Sequence, residues 1–340
     1  MSNETRKKII EKLPGKATLP KNIKFCETLD GLEMTLSMPA IGKSKQPSSN
    51  LNMQTDSAAF EGWAVVVYTH YVKPFYYGEK IIILKTEENL KFEKEIDFTT
   101  GNGHYHRFLY RAMRFAEQYP NWFVLDKNLK EVIKEFKNSF DSIEFVNNYP
   151  SKETGKNDEL SIGLTTESGV EKYLVENSIE GKALLKKAGL KTERLFRQLP
   201  VGLFREKKKA GNSLFTRGKS AIDLWSTDEN KIAIFELKTD NKMIGIITEL
   251  FFYTNYVNDV FIEKNNIIPE KTTQEIEKNR GYPLLTEKCE NKKIESYFLS
   301  NAMHPLITET EIELLNNNIN NGFKYGNLCY QFTLKAEIER

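Results

Sequence analysis

Residues 218–240 read GKSAIDLWSTDENKIAIFELKTD, and the fold turns on how this stretch is read. Two apolar runs flank a short polar connection. The first run, Ala221-Ile222-Asp223-Leu224-Trp225, holds one aspartate among core residues, and a carboxylate placed there is costly unless something compensates its charge. The second, Ile232-Ala233-Ile234-Phe235-Glu236-Leu237-Lys238, puts Glu236 and Lys238 on one face of a strand while Phe235 and Leu237 point to the other. The connection Ser226-Thr227-Asp228-Glu229-Asn230 is short enough to make the two runs antiparallel neighbours. Asp223 and Glu236 then converge side by side with one ammonium beside them.

Two carboxylates and a lysine in that arrangement suit phosphodiester hydrolysis. Hard divalent cations take oxygen ligands, and magnesium is the usual ion at phosphates. Such an ion polarises the scissile phosphate and acidifies a bound water. The lysine orients that water and offsets negative charge in the transition state.

Outward from this hairpin, the pattern after residue 160 reads as helix from about Glu167 to Asn177, strand Leu195 to Arg205, strand Leu214 to Trp225, strand Lys231 to Lys238 and helix Lys242 to Asn258. Strand Ile294 to Ser300, helix Glu309 to Asn318 and strand Leu328 to Ala336 follow. Asp223, Glu236 and Lys238 match Asp…Glu-x-Lys, and with this α-β-β-β-α-β order the segment resembles the PD-(D/E)xK nuclease superfamily over about residues 165–340. Ala221-Ile222 stands where the superfamily name has proline, a position that varies.

The resemblance implies a restriction-endonuclease-like mixed sheet flanked by helices. It implies Asp223, Glu236 and Lys238 as the catalytic core, and Asp223, Glu236 and the Leu237 carbonyl as ligands of Mg²⁺, with Mn²⁺ as a substitute. An acidic residue on the preceding helix is also expected, and Glu167, Glu171, Glu176 and Glu180 are the candidates. Glu171 lies beside the apolar stripe of that helix and is the choice for the catalytic set; equally, it would complete a capping box with Ser168. Glu249 and Tyr253, at i and i+4 on the apolar helix after Lys238, are expected to support the metal ligands from behind. They resemble a glutamine–tyrosine motif of some superfamily branches, with Glu in place of Gln.

The first half reads differently. Strand-like stretches at Lys24–Met38, Gly62–Tyr71, Lys80–Thr86 and Lys91–Phe98 precede helical patterns at His104–Gln118 and Lys127–Phe140. The chain is therefore expected to be α/β, with an α+β domain at 1–150, for recognition or regulation, and a nuclease domain at 151–340. The boundary is placed in the Pro-, Gly- and charge-rich run from Asn147 to Leu160.

Net charge is +2, from 49 basic and 47 acidic residues, so a polyanion must meet local patches rather than a uniformly basic coat. Near the hairpin those patches are Arg217 and Lys219, which lead into Asp223, and Arg197 and Gln198 on the preceding strand. Lys207, Lys208 and Lys209 read as a solvated turn. In the first half, Arg107, Arg111, Arg114 and Gln118 recur at helical spacing as a basic stripe, either lying against DNA backbone or solvated and ion-paired. His104 and His106 lack a third ligand nearby and receive no metal. Cys26, Cys289 and Cys329 are three and far apart, so neither a disulfide framework nor a zinc ribbon is expected. No signal peptide or membrane span is visible, and a cytoplasmic protein is expected.

The resulting expectation is a Mg²⁺-dependent DNA endonuclease of restriction or antiviral defence. Its partners would be DNA, a second copy for double-strand cutting, and a partner protein of a defence system. The alternatives are a non-catalytic nucleic-acid-binding or assembly module on the same fold, and a hydrolase of RNA or a nucleotide messenger.

Overall fold

The structure, a computed structural model, describes residues 2–15, 17–43, 53–75, 81–99, 101–150, 164–176, 178–240, 243–269, 281–287, 289–320 and 322–331. The expected boundary run falls mostly outside them, as does the end of the strand expected to reach Ala336.

The first half contains α1 (Ser2–Lys12), β1 (Ile23–Glu27), β2 (Gly31–Leu36), α2 (Phe60–Val67), α3 (Lys73–Phe75), β3 (Ile81–Thr86), α4 (Gly103–Gln118), β4 (Phe123–Leu125), α5 (Lys127–Ser142) and β5 (Phe145–Asn147). Its sheet runs β1-β2-β3-β4, antiparallel at the first pair and parallel at the others. The single stretch expected at Lys24–Met38 is thus a hairpin, broken at Thr28–Asp30. Gly31 begins its second strand, and a Cβ there would lie 2.2 Å from the Ile81 carbonyl oxygen on β3.

Two expectations in this half are corrected. Gly62–Tyr71 is not a strand but helix α2, continued by a π-helical turn over Tyr68–Val72. A short run that is apolar throughout has no period to separate strand from helix, and every residue of α2 is buried. Lys91–Phe98 forms no strand either. Side chains of α5 take some of the backbone donors here: Leu90 N, just before the stretch, donates to Asn128 Oδ1 at 2.8 Å, and Ile96 N to Ser139 Oγ at 3.0 Å.

The second half contains α6 (Glu167–Glu176), α7 (Ser178–Lys187), β6 (Phe196–Val201), β7 (Leu203–Arg205), β8 (Ser220–Thr227), β9 (Lys231–Lys238), α8 (Gly245–Val257), β10 (Ile267–Ile268), α9 (Pro283–Thr286), β11 (Lys293–Ser300), α10 (Glu309–Asn316) and β12 (Phe323–Cys329). The main sheet is mixed, in the order β12-β11-β9-β8-β6. The β8–β9 and β6–β8 pairs are antiparallel, whereas β9–β11 and β11–β12 are parallel. The molecule is α/β. Strand β8 begins only at Ser220, because the chain before it turns with Arg217 and Gly218 both at positive φ, 56° and 63°.

One face of this sheet, with Leu224, Ala233, Phe235 and Leu237, packs on Val170 and Leu174 of α6 and Leu184 and Leu185 of α7. The other face, with Trp225, Ile232, Ile234 and Phe298, joins a core that extends through α8 into α2, α4 and the first sheet. Helix α8 packs against β9 and β11 on one side and α2 on the other, and all its residues are buried. Further ties link the halves: β5 pairs with β7 and β10, forming a small third sheet. The three cysteines are free. Among the described residues no helix is long and apolar enough to cross a membrane.

Candidate active site

The β8–β9 ladder pairs Thr227 with Ile232 through Leu224 with Phe235. One step further the same register sets Asp223 across from Glu236, but there the ladder stops. Backbone amides left without a ladder partner must find another acceptor. The Leu237 amide finds it in the Asp223 side chain, donating to Oδ2 at 2.9 Å. On its other side, β8 meets β6, whose pairing steps from Arg197–Leu224 to Leu199–Ile222 and omits Gln198 and Asp223. Gln198 adopts a φ of 55°, a left-handed conformation rare for a residue with a side chain. Asp223 therefore lies where both of its strand's ladders are interrupted.

Strand alternation holds for β9. Glu236 is 2 % exposed and Lys238 is 7 % exposed. The Lys238 ammonium donates to Glu236 Oε1 at 2.6 Å and to the Leu237 carbonyl at 3.1 Å. It also lies 3.3 Å from Glu249 Oε2 and 3.9 Å from Glu167 Oε1. Glu249 comes from the second turn of α8, and its other oxygen accepts from Gln54 Nε2 at 2.5 Å.

Glu171 is buried on α6 and accepts from Gln198 Nε2 at 2.8 Å. The capping box expected between Ser168 and Glu171 is not formed, since Thr166 Oγ1 receives the Gly169 amide at 3.2 Å. Glu171 is thus turned toward the strand that faces Asp223. The Gln198 side chain, expected on nucleic acid, is instead the partner of Glu171.

The electrostatics follow from burial. Loss of water pushes the Asp223 carboxyl above its ordinary range, with Lys238 pulling it back and the Glu171 charge adding to the rise. Burial raises Glu236 well above its range as well, reinforced by Asp223 and Glu249. Glu171 is raised by desolvation, against the bond from Gln198. Burial alone would lower the Lys238 ammonium, but Glu236, Glu249 and Asp223 outweigh it and hold the lysine charged. Tyr253 is buried beside these carboxylates, which together with desolvation keep its phenol protonated.

The residues present fit a divalent cation. Asp223, Glu236, Glu171 and Glu249 crowd four carboxyl groups around one ammonium. Glu236 Oε2 is buried without a hydrogen-bond partner among the described residues. All the donors are hard oxygens. No three His, Cys, Asp or Glu side chains among the described residues form a ready-made cage. The candidate ligands are two carboxylates and the Leu237 carbonyl.

The expected nucleic-acid contacts divide. Arg217 and Lys219 are exposed on the turn that leads into Asp223, and Arg197 is half-buried on β6. The stripe on α4 is corrected: Arg107 and Arg111 are each 3 % exposed and cannot lie along a DNA backbone. Arg111 forms a buried pair with Glu61 and donates to the Ala58 carbonyl at 2.9 Å. Thr248 of α8 completes that cluster by donating to Glu61 Oε2 at 3.0 Å. Arg114 pairs with Asp259 at 2.7 Å and Gln118 bonds to Asn255. Arg107 donates toward His104 Nδ1 at 3.2 Å, and burial brings its guanidinium down to about 10. The stripe faces the second half of the chain, so its apolar neighbours and its charges are buried together. His104 and His106 are brought down to about 4 by burial.

Gln54 is the site residue that sequence reasoning missed. It lies 195 positions from Glu249 in a segment without period or motif, and no local signal marks it. Compared with models of protein families, with curated proteins and with solved structures, the chain matches none.

Proposed function

We propose that the protein is a Mg²⁺-dependent phosphodiester hydrolase of the PD-(D/E)xK type, acting on DNA as an endonuclease. The observation that carries the reading is the meeting of Asp223 and Glu236 where two strand ladders end, with Lys238 poised between Glu236 and Glu249 at 2.6 and 3.3 Å. With α7 and β7 set aside as additions, the elements around it, α6, then β6, β8 and β9, then α8 and β11, follow the order that the resemblance implies.

In this reading Asp223, Glu236 and the Leu237 carbonyl hold the cation, which supplies Lewis-acid charge at the phosphate and acidifies water. Asp223 is fixed for that task by the Leu237 amide, and the same bond ties the two ligand-bearing strands together. Lys238, kept protonated by three carboxylates, presents positive charge to the attacking oxygen and the phosphate. Glu249 holds the lysine from the α8 side, and Glu171 adds a carboxylate beside Asp223. Arg217 and Lys219 stand where they meet the flanking backbone. DNA is favoured because most nucleases that the segment resembles act on it, in restriction, repair or defence against phage.

The test is cleavage of supercoiled plasmid with Mg²⁺ by the wild type, Glu236→Ala and Lys238→Ala. Wild type is expected to nick or linearise the plasmid. Lys238→Ala is expected to fall about 10²–10³-fold, the usual cost of one transition-state donor. Activity retained in both variants would sink the assignment.

A further inference from the structure

We propose that Gln54, from the first half of the chain, is a positioning residue that fixes Lys238 through Glu249. The inference rests on the hydrolase reading above and adds to it what orients Glu249 toward the lysine.

A carboxylate buried to 1 % exposure on a helix has two oxygens to satisfy. Glu249 Oε1 accepts from the Gln54 amide at 2.5 Å, whereas Oε2 has no hydrogen-bond partner among the described residues and lies 3.3 Å from the lysine as an ion pair. With Oε1 held by Gln54, the carboxylate plane is set and so is the direction from which Oε2 draws the ammonium. Without Gln54, Glu249 is free to rotate toward Lys238 or away from it, and the lysine keeps its bonds to Glu236 and the Leu237 carbonyl but loses a fixed pull from the α8 side.

The Gln54 segment is seated on the start of α8 by contacts that leave it little room. A Cβ at Gly245 would lie 2.0 Å from the Gln54 carbonyl oxygen and 2.8 Å from its Cα, so glycine is required at the first residue of α8. A Cβ at Gly62 of α2 would lie 2.8 Å from the Ile244 carbonyl oxygen. Between them, Asp56 Oδ1 accepts the Ile244 amide at 3.3 Å. Two backbone approaches that exclude a side chain, and one hydrogen bond across them, hold this part of the first half against the helix that carries Glu249. A residue that merely filled space would not need its amide aimed at a carboxylate oxygen.

A double-mutant cycle on plasmid cleavage tests this, with the full chain as wild type, Gln54→Ala, Glu249→Ala and the double variant. Gln54→Ala is expected to lower kcat about tenfold, with KM for DNA unchanged, because it acts on a group that steers chemistry rather than binding. In the Glu249→Ala background the same substitution is expected to change kcat less than twofold. Gly245→Ala, which forces the Gln54 backbone away, is expected to reproduce the kcat loss with Gln54 still present. A tenfold loss in both backgrounds, or none in either, overturns the inference while leaving an active wild type as support for the hydrolase reading. A wild type inert on DNA and on RNA overturns that reading, and this inference with it.

Discussion

The Leu237 amide donates to Asp223 Oδ2 at 2.9 Å, so the aspartate is held by the backbone of the strand that bears Glu236. A side chain here does the work of a ladder rung. Its carboxyl group is nonetheless buried among others, and that has a measurable effect on stability.

Asp223 and Glu236 both have folded-state values raised by burial. The folded chain therefore keeps protons that the unfolded chain gives up, and their contribution to stability is greatest in acid. It is lost as pH rises from the ordinary carboxylate range, about 4, through the raised folded values. Asp228 and Glu295 are shifted down and act in the opposite sense, so the readout is a difference. In EDTA, the Tm of wild type minus that of Asp223→Asn is expected to fall between about pH 5 and 8. Mg²⁺ is expected to raise the wild-type Tm at the upper end and much less at the lower, where protons compete. A Tm indifferent to Mg²⁺ at the upper end would remove these carboxylates as ligands.

Arg111 and Glu61 form a buried pair at the contact between α4, α2 and α8. Arg111→Met strands the Glu61 carboxylate, and the expected loss is about 3–5 kcal/mol in urea unfolding. Removing both charges together, as Arg111→Met with Glu61→Gln, is expected to recover part of it. DNA affinity of the folded fraction should not change, whereas a drop in affinity without a drop in stability would return Arg111 to the nucleic-acid surface.

Gln198 combines a strained backbone with a bond to Glu171. Strain of this kind costs on the order of 1–3 kcal/mol and persists where the surroundings impose it. Gln198→Gly relieves it and is expected to hold or raise the Tm while reducing cleavage, because Glu171 loses its anchor. Gln198→Val, β-branched at the same φ, is expected to lose both.

Arg217 and Lys219 are exposed cations near Asp223. Alanine at either is expected to weaken binding of different DNA sequences alike and to reduce the slope of log K against log salt by about 1. Arg107→Ala, inside the protein, should leave that slope unaltered, as measured by fluorescence anisotropy across a salt series.

An element of this fold is legible in the sequence to the extent that its signal is local. The β8–β9 hairpin was readable because alternation and a short polar connection lie within one stretch, and the α8 helix because its long apolar run exceeds the length of a strand. Gly62–Val67 misled because β-branched residues inside a fully enclosed helix look like a central strand. Arg107 and Arg111 misled because helical spacing shows which residues share a face and not what covers it. Gln54 left no trace, since its role exists only once two segments far apart in sequence are brought together.

Helix α8 has no side that water reaches. It is walled in by α2 on one flank and by β9 and β11 on the other, and it carries Glu249. The two halves of the chain therefore share one core at this helix. A recombination that moved residues 164–331 into another gene would carry α8 away from its cover, and the recipient would have to supply a new one before any chemistry could begin. A substitution at an exposed turn such as the one at Arg217, by contrast, leaves the enclosed helix undisturbed.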